Sequence, residues 1–459
     1  MEKNRSLTEG SIWKNMLLFA LPIMLGNIFQ QFYNAFDAWT VGNFLDGDSL
    51  AAVSSSGSLI FMLVSFFSGL AMGAGVVIAR CFGAKDYDTL SRTVHTTVAF
   101  GLIAGVILTV GGTALSPLIL GWMGTPKDIL PKSISYFSVY FAGVIFLVMY
   151  NVFVGILHAV GDSRHPLYYL IISSLTNVAL DLLFVAAFRW GVWAAALATT
   201  IAQGISAVLC FLRLIRVTEP YRIQVRQIHI HWDCLKQVVR YGLPSGIQNS
   251  VISMANVVVQ TNINSFGKAA VAGCGAYSKL EGFAFLPVGC FTQALATFVG
   301  QNLGAKQYDR TKKGVAFGIL CAVSMAVVVG IGCYLFAPQM IAFFNSDPEV
   351  VDYGTRHMRT ICLFFGLLAL SHCIASVLRG AGRAVVPMAV MLLCWCVLRV
   401  AYVSVAVQIV NELETVSRAY PITWTASSII YLIYFFTADW LHGFDKESKV
   451  AVAKQRSHV

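Results

Sequence analysis

Charge is what this chain has least of. Only 12% of its 459 residues are Asp, Glu, Lys or Arg, about half the ~25% of a soluble domain, while 57% are hydrophobic. That balance excludes a water-soluble globular fold. Acids are scarcer than bases, 22 against 32, yet the basic excess forms no nucleic-acid face. Lys and Arg gather instead in alternate loops between apolar segments, as membrane topology requires. H-E-x-x-H, G-x-S-x-G and clustered acids of the magnesium-binding kind are all missing, so the common hydrolase chemistries have no carrier. The eleven cysteines lack paired metal-ligand spacing. Cys394 and Cys396 fall on different helix faces, and Cys210, Cys290, Cys321 and Cys333 lie in apolar runs as small hydrophobes. No cleavage site follows the first apolar segment, which is expected to insert as a span. No cofactor, resident metal or enzymatic activity is expected.

What is present is a series of twelve apolar segments, each long enough to cross a hydrocarbon core of about 30 Å. One set of loops holds Lys3 and Arg5, then Arg80, Lys85 and Arg92, then Arg213, Arg216, Arg222 and Arg226, then Lys306, Arg310, Lys312 and Lys313, then Arg379 and Arg383, then Lys446 and Lys449. The other set is sparse (Lys127, Lys132, Arg189, Lys268) and richer in acids such as Asp46, Asp48, Asp347, Glu349 and Glu412. The basic side is expected to be cytoplasmic. Both termini then lie on the cytoplasmic side of the cell membrane, which requires an even number of spans.

A repeat runs along the chain at a shift of 221–222 residues: Leu21-Pro22 matches Leu243-Pro244, Asn27 matches Asn249, Phe44 matches Phe266, Gly83-Ala84-Lys85 matches Gly304-Ala305-Lys306, and Gly161 matches Gly382. Six spans per copy make a parallel repeat, whose transport site is expected between the halves. The expected fold is an all-α polytopic membrane protein of twelve transmembrane helices in two six-helix repeats. Its expected organisation is an amino-terminal lobe at 1–214, a cytoplasmic linker at 215–235, a carboxy-terminal lobe at 236–445 and a cytoplasmic tail at 446–459.

Inside the first span Asn27, Gln30, Gln31, Asn34 and Asp37 form one polar stripe at helical spacing. A carboxylate there costs on the order of 3 kcal/mol or more to insert and marks an ion or substrate path. The second copy carries its own stripe: Ser245, Gln248, Asn249, Ser253, Asn256, Gln260 and Asn264. Two stripes at equivalent places suggest a path lined from both halves, with Gln30, Asn34, Gln248 and Asn256 as substrate-contacting candidates. The alternative is that these amides bond neighbouring helices, worth about 0.6 kcal/mol each.

Three acids lie well inside spans: Asp37, Asp181 and Glu281. Asn177 precedes Asp181 by one turn, and Thr199 lies at similar depth in the next span, so Asp37, Asn177, Asp181 and Thr199 share the outer half of the bilayer. Oxygens around two carboxylates suit a proton or sodium, and close carboxylates can hold one proton between them. Sodium normally wants about six oxygens, so the set leans towards protons, with sodium competing for the same place. The bland alternative has Asp181 only bridging helices. Neither aspartate is repeated: Asp37 falls opposite Val259 and Asp181 opposite Tyr402, which places coupling in the first half. Glu281 stands near Phe283, Phe285 and Phe291, a setting for a lipophilic cation. An internal ion pair with Lys279 or Arg399 is the competing reading. His372 and Arg399 have no assigned role.

These residues resemble the multidrug and toxic compound extrusion (MATE) transporters. The resemblance spans nearly the whole chain and rests on F-Y-N-A-F-D-A-W-T-V-G ending at Gly42, the two G-A-K segments, N-V-A-L-D at 177–181, G-V-W-A-A-A-L-A-T at 191–199 and K-L-E-G-F-A-F-L-P at 279–287. It implies two six-helix bundles around a V-shaped cleft and export of amphipathic, often cationic, compounds driven by inward proton or sodium flow. Within the family the DinF-like branch fits: Asp37, Asn177, Asp181 and Thr199 match its amino-terminal cation site, and Glu281 matches an acid implicated in substrate handling. Gln248 and Asn249 stand where the other prokaryotic branch has an acid, so a second cation site is not expected. The protein is expected to act as a monomer. A lipid-linked-precursor flippase of the same superfamily is the alternative, but such proteins have more spans and a strongly cationic path.

Overall fold

The computed structural model describes residues 6–45, 47–122, 125–126 and 128–442. Lys3, Arg5, Asp46, Lys127, Lys446, Lys449 and the tail at 446–459 lie outside the described residues. Every regular element among the described residues is helical. In the first repeat these are α1 Ile12–Phe44, α2 Gly47–Gly83, α3 Tyr87–Trp122, α4 Leu130–Ala142, α5 Val144–Ala159, α6 Arg164–Asp181 running into a π-turn at Leu182–Ala187, and α7 Val192–Arg216. The second repeat has α8 Trp232–Asn264, α9 Lys268–Ala284, α10 Leu286–Gly304, α11 Tyr308–Ala342, α12 Pro348–Cys362, α13 Phe365–Gly380, α14 Val385–Met391 with a π-turn at Leu392–Leu398, α15 Arg399–Ile409, α16 Leu413–Ser417 and α17 Ala419–Thr437.

Nine stretches among the described residues are long and apolar enough to cross a bilayer, and eleven when each of two bent helix pairs counts as one. The 33 residues of α8 reach as far, but its Ser, Gln and Asn stripe dilutes its hydropathy. Counting it gives the expected twelve. Outward-facing apolar side chains such as Ile107 and Val110 on α3, both 64% exposed, and Val328 on α11, 70% exposed, have lipid as their natural solvent.

The repeat holds down to backbone detail. The bends of 45° between α4 and α5 and of 51° between α12 and α13 occur at Gly143 and Phe364, which are register equivalents. Lys85 and Lys306, also equivalent, both have positive φ, 57° and 58°. Each lets a helix end in the same way: Asp86 N–H reaches back to Cys81 O and Gln307 N–H to Asn302 O, satisfying terminal carbonyls. The cores match too. Val41, Val192 and Ala195 are buried together in the first copy, and Ile263, Leu413 and Val416 in the second.

The compact units differ from the lobes drawn at the linker. One comprises Leu21–Gly242, and the other Leu7–Ala20 together with the chain from Leu243 onward. Both boundaries fall inside a helix, α1 or α8, one residue before Pro22 or Pro244. A helical proline has no N–H to give the carbonyl four residues back, so each helix is loosened where it leaves one unit for the other. In the second unit the early chain is held by Arg310, whose guanidinium donates to the carbonyls of Leu7, Glu9 and Gly10 at 2.7–3.3 Å, while Leu7 N–H donates to Gln301 Oε1 at 3.0 Å. In the first unit the 215–235 segment is held on α3. Gln224 N–H donates to His95 Nε2 at 2.9 Å, His231 N–H to Thr96 Oγ1 at 3.1 Å, and Arg92 Nε to His231 Nδ1 at 3.3 Å.

That docking needs neutral imidazoles. His95 Nδ1 lies 2.7 Å from Ser91 O, so its proton sits there and Nε2 is left to accept. Desolvation, then His229, Arg92 and His95, push the His231 pKa below its ordinary value. A histidine whose folded pKa is depressed contributes fully above its unfolded pKa of about 6.5 and loses that contribution as pH falls. Amide exchange at 222–232, corrected for intrinsic rates, should therefore be faster at about pH 5.5 than at about pH 7.5. Equal protection at both would remove the histidines from the docking.

Candidate functional site

The first unit gathers the four residues marked by the polar stripe and its partners. Asp181 ends α6 and is wholly buried, as is Asn177 one turn earlier. Asn177 Nδ2 reaches Thr199 Oγ1 on α7 at 3.4 Å. Asp37 on α1 meets Asp181 carboxyl to carboxyl. Asp37 Oδ1, both Asp181 oxygens and Asn177 Oδ1 are buried and receive no donor from the described residues. Two carboxyls in contact can bond only through a proton, and their remaining lone pairs suit a small cation. The π-turn starting at Leu182 follows Asp181 directly. A π-turn inserts an extra residue into a helix, and such turns cluster at functional sites.

Aromatic and amide groups not marked in the sequence complete the surroundings. Tyr136 and Tyr140 on α4 lie within electrostatic reach of Asp37. Tyr33, one helical turn before Asp37, accepts from Gln203 Nε2 at 3.4 Å and bonds Gln30. Asn34 is exposed and Gln30 half-buried.

The second unit organises the other candidates differently. Tyr277 Oη donates to Glu281 Oε1 at 3.2 Å, one turn apart on α9. Lys279 turns away, its Nζ 5.6 Å from the Phe344 ring, so it is not the acid's partner. Arg399 lies in electrostatic reach of Glu281 but makes no bond to it. Its Nη1 donates to Asn256 Oδ1 at 2.9 Å and its Nη2 to Thr423 Oγ1 at 3.1 Å. Phe283 is 41% exposed. Gln248 is buried, which leaves it inside the unit rather than on a lining surface. Part of the α8 stripe satisfies itself: Gln260 Nε2 donates to Asn264 Oδ1 and Ser253 Oγ to Asn249 O. Both bonds stay within α8 and tie it to no neighbouring helix. His372 packs edge-on between Phe285 and Trp395 at 5.0 and 5.2 Å.

Eleven or twelve helical spans among the described residues, duplicated in sequence and carrying the acid pair Asp37 and Asp181 in the first copy, define a polytopic membrane transporter. The MatE family model matches residues 22–183 and again 244–404, the two registers of the repeat. The chain belongs to the MatE family. It is 28% identical over 387 residues, 83% of this chain and 84% of the relative, to the probable multidrug resistance protein YoeA of Bacillus subtilis. It is 25% identical over 383 residues, 82% of each chain, to the probable multidrug resistance protein NorM of Thermotoga maritima. Among solved structures, a MATE protein in complex with MaL6 superposes with a TM-score of 0.89 at 22% identity, over 95% of this chain and 98% of that one. A MOP superfamily transporter from Pyrococcus furiosus superposes at 0.88, also at 22% identity, over 94% and 98%.

Proposed function

We propose that this protein exports amphipathic, often cationic, compounds across the cytoplasmic membrane by alternating access, in exchange for protons, with both termini cytoplasmic. The observation that carries coupling is the meeting of Asp37 and Asp181, where Asp37 Oδ1, both Asp181 oxygens and the neighbouring Asn177 Oδ1 are buried and receive no donor from the described residues. One proton can bridge the two carboxyls without a coordination shell, which favours protons over sodium. The multidrug resistance names of the relatives support the substrate class, and the match to the DinF-like pattern at Asp37, Asn177, Asp181 and Thr199 supports the branch. Gln30, Asn34, Asn256 and Phe283, exposed or half-buried, are the side chains proposed to meet substrate, with Glu281 as their anion. Purified protein in sodium-free liposomes should move a cationic dye when a pH gradient is imposed. Movement that requires sodium and ignores a pH jump would reassign the coupling ion.

Glu281→Gln should weaken export of cationic dyes several-fold while leaving neutral substrates near wild type, because it removes charge and keeps the Tyr277 bond. Equal losses for both classes would make Glu281 a structural residue.

A further inference from the structure

The second unit holds a charge that export of a simple cation leaves without a task. Arg399 is 1% exposed, and its guanidinium lies 5.0 Å from the Trp395 ring and 4.6 Å from the Tyr420 ring. Among the described residues its bonds go to neutral groups, Asn256 and Thr423, and its buried Nε meets no acceptor. Burying a guanidinium among neutral partners is unfavourable unless a counter-charge arrives. Glu281 lies within electrostatic reach, but its Oε1 accepts from Tyr277 and the bonds that Arg399 makes among the described residues go to neutral groups. The π-turn at Leu392–Leu398 ends at Arg399, just as the other π-turn begins beside Asp181. Each unit thus places a buried charge at an irregular turn, negative in one and positive in the other.

We propose that Arg399 is a subsite for a carboxylate on the exported compound, with Glu281 taking the same molecule's ammonium group, so that the second unit recognises amphipathic zwitterions. A carboxylate has the planar two-oxygen shape that a guanidinium edge accepts. The route is short: Asn256, which occupies Nη1, is exposed, and Glu281 is half-buried, so the guanidinium lies one side chain below the surface of its unit. Asn256 acts as a neutral placeholder that an incoming carboxylate displaces. The flat faces of Trp395 and Tyr420 hold the guanidinium in position whether or not a ligand is bound. This assignment rests on the export reading and narrows its substrate class.

The test compares two probes on the full-length protein in nanodiscs: a fluorescent amine that carries a carboxylate, and its methyl ester, which is only cationic. Wild type should bind the zwitterion about tenfold more tightly than the ester, the value of one charge-assisted pair. Asn256→Asp supplies Arg399 with a carboxylate from within, so the cluster stays satisfied and the fold is kept. This variant should lose the preference for the zwitterion, read as the ratio of the two probes' affinities in the same protein. Equal binding of both probes by wild type, or a preference that survives Asn256→Asp, overturns the subsite. If a pH gradient still drives the ester in liposomes, the export reading stands apart from that loss. An ester that is neither bound nor moved brings down the export reading and this one with it.

Discussion

Liposomes carrying the Asp37→Asn protein should move a cationic dye no faster than protein-free liposomes under a pH gradient. Asparagine keeps the volume of the side chain and most of its hydrogen-bonding capacity, so α1 should still pack and insert. What it cannot do is change charge. With one carboxyl left, Asp181 faces an amide, and the shared-proton arrangement is gone. Export becomes uncoupled, because a gradient can shift a conformational equilibrium only through differential binding to the states. Dye binding at equilibrium should persist, and this separates lost coupling from lost folding. Dye movement at the wild-type rate would remove Asp37 from the coupling site.

Gly73→Ala should be the most damaging single-methyl change in the first unit. A Cβ at Gly73 would stand 2.1 Å from the Gly242 nitrogen and 2.2 Å from its Cα, backbone atoms that no rotamer change can move aside. Helices α2 and α8 cross at this point, so one methyl group must force them apart. Overpacking of this kind costs roughly 1–3 kcal/mol, and more where the backbone itself is the obstacle. Gly75→Ala, two residues along the same helix, is the control. Its Cβ would come no nearer than 3.8 Å to Gly155 O, so it should be neutral or gain up to about 1 kcal/mol of helix propensity. Thermal unfolding in detergent should show a clear drop in Tm for the first variant alone. Equal melting of both would mean that the crossing yields without cost.

The repeat was legible because it preserves the residues that local geometry needs. Pro22 and Pro244, Lys85 and Lys306, and Gly161 and Gly382 each mark a helix end or an interruption that recurs in the structure. The acid pair was legible because carboxylates in apolar spans are rare enough to stand out. Bends at Gly143 and Phe364 had no common residue to announce them. The same is true of the tyrosines around Asp37, which α4 supplies from about a hundred residues away in sequence. Arg399 was visible as a charge, and Trp395 one turn earlier shares its helix face. Its other stacking partner, Tyr420, comes from a separate helix and could be placed only by the fold. The docking of the 215–235 linker on α3 through His95, Thr96 and Arg92 likewise joins residues more than a hundred positions apart, which only the fold could show.

The exchange of helix starts bears on how such a chain arose and how it can be divided. Residues Leu7–Ala20 belong with the second unit, and the chain up to Gly242 belongs with the first, so each copy of the repeat lends its opening to the other. A six-helix ancestor built this way would have paired as a domain-swapped dimer, and gene fusion would make that swap permanent within one polypeptide. Neither half produced alone has a home for its first turns, and those turns would be left as an adhesive end. Two half-chains severed near residue 219 and produced together keep every docking contact on both sides of the cut, and should reassemble without the covalent link.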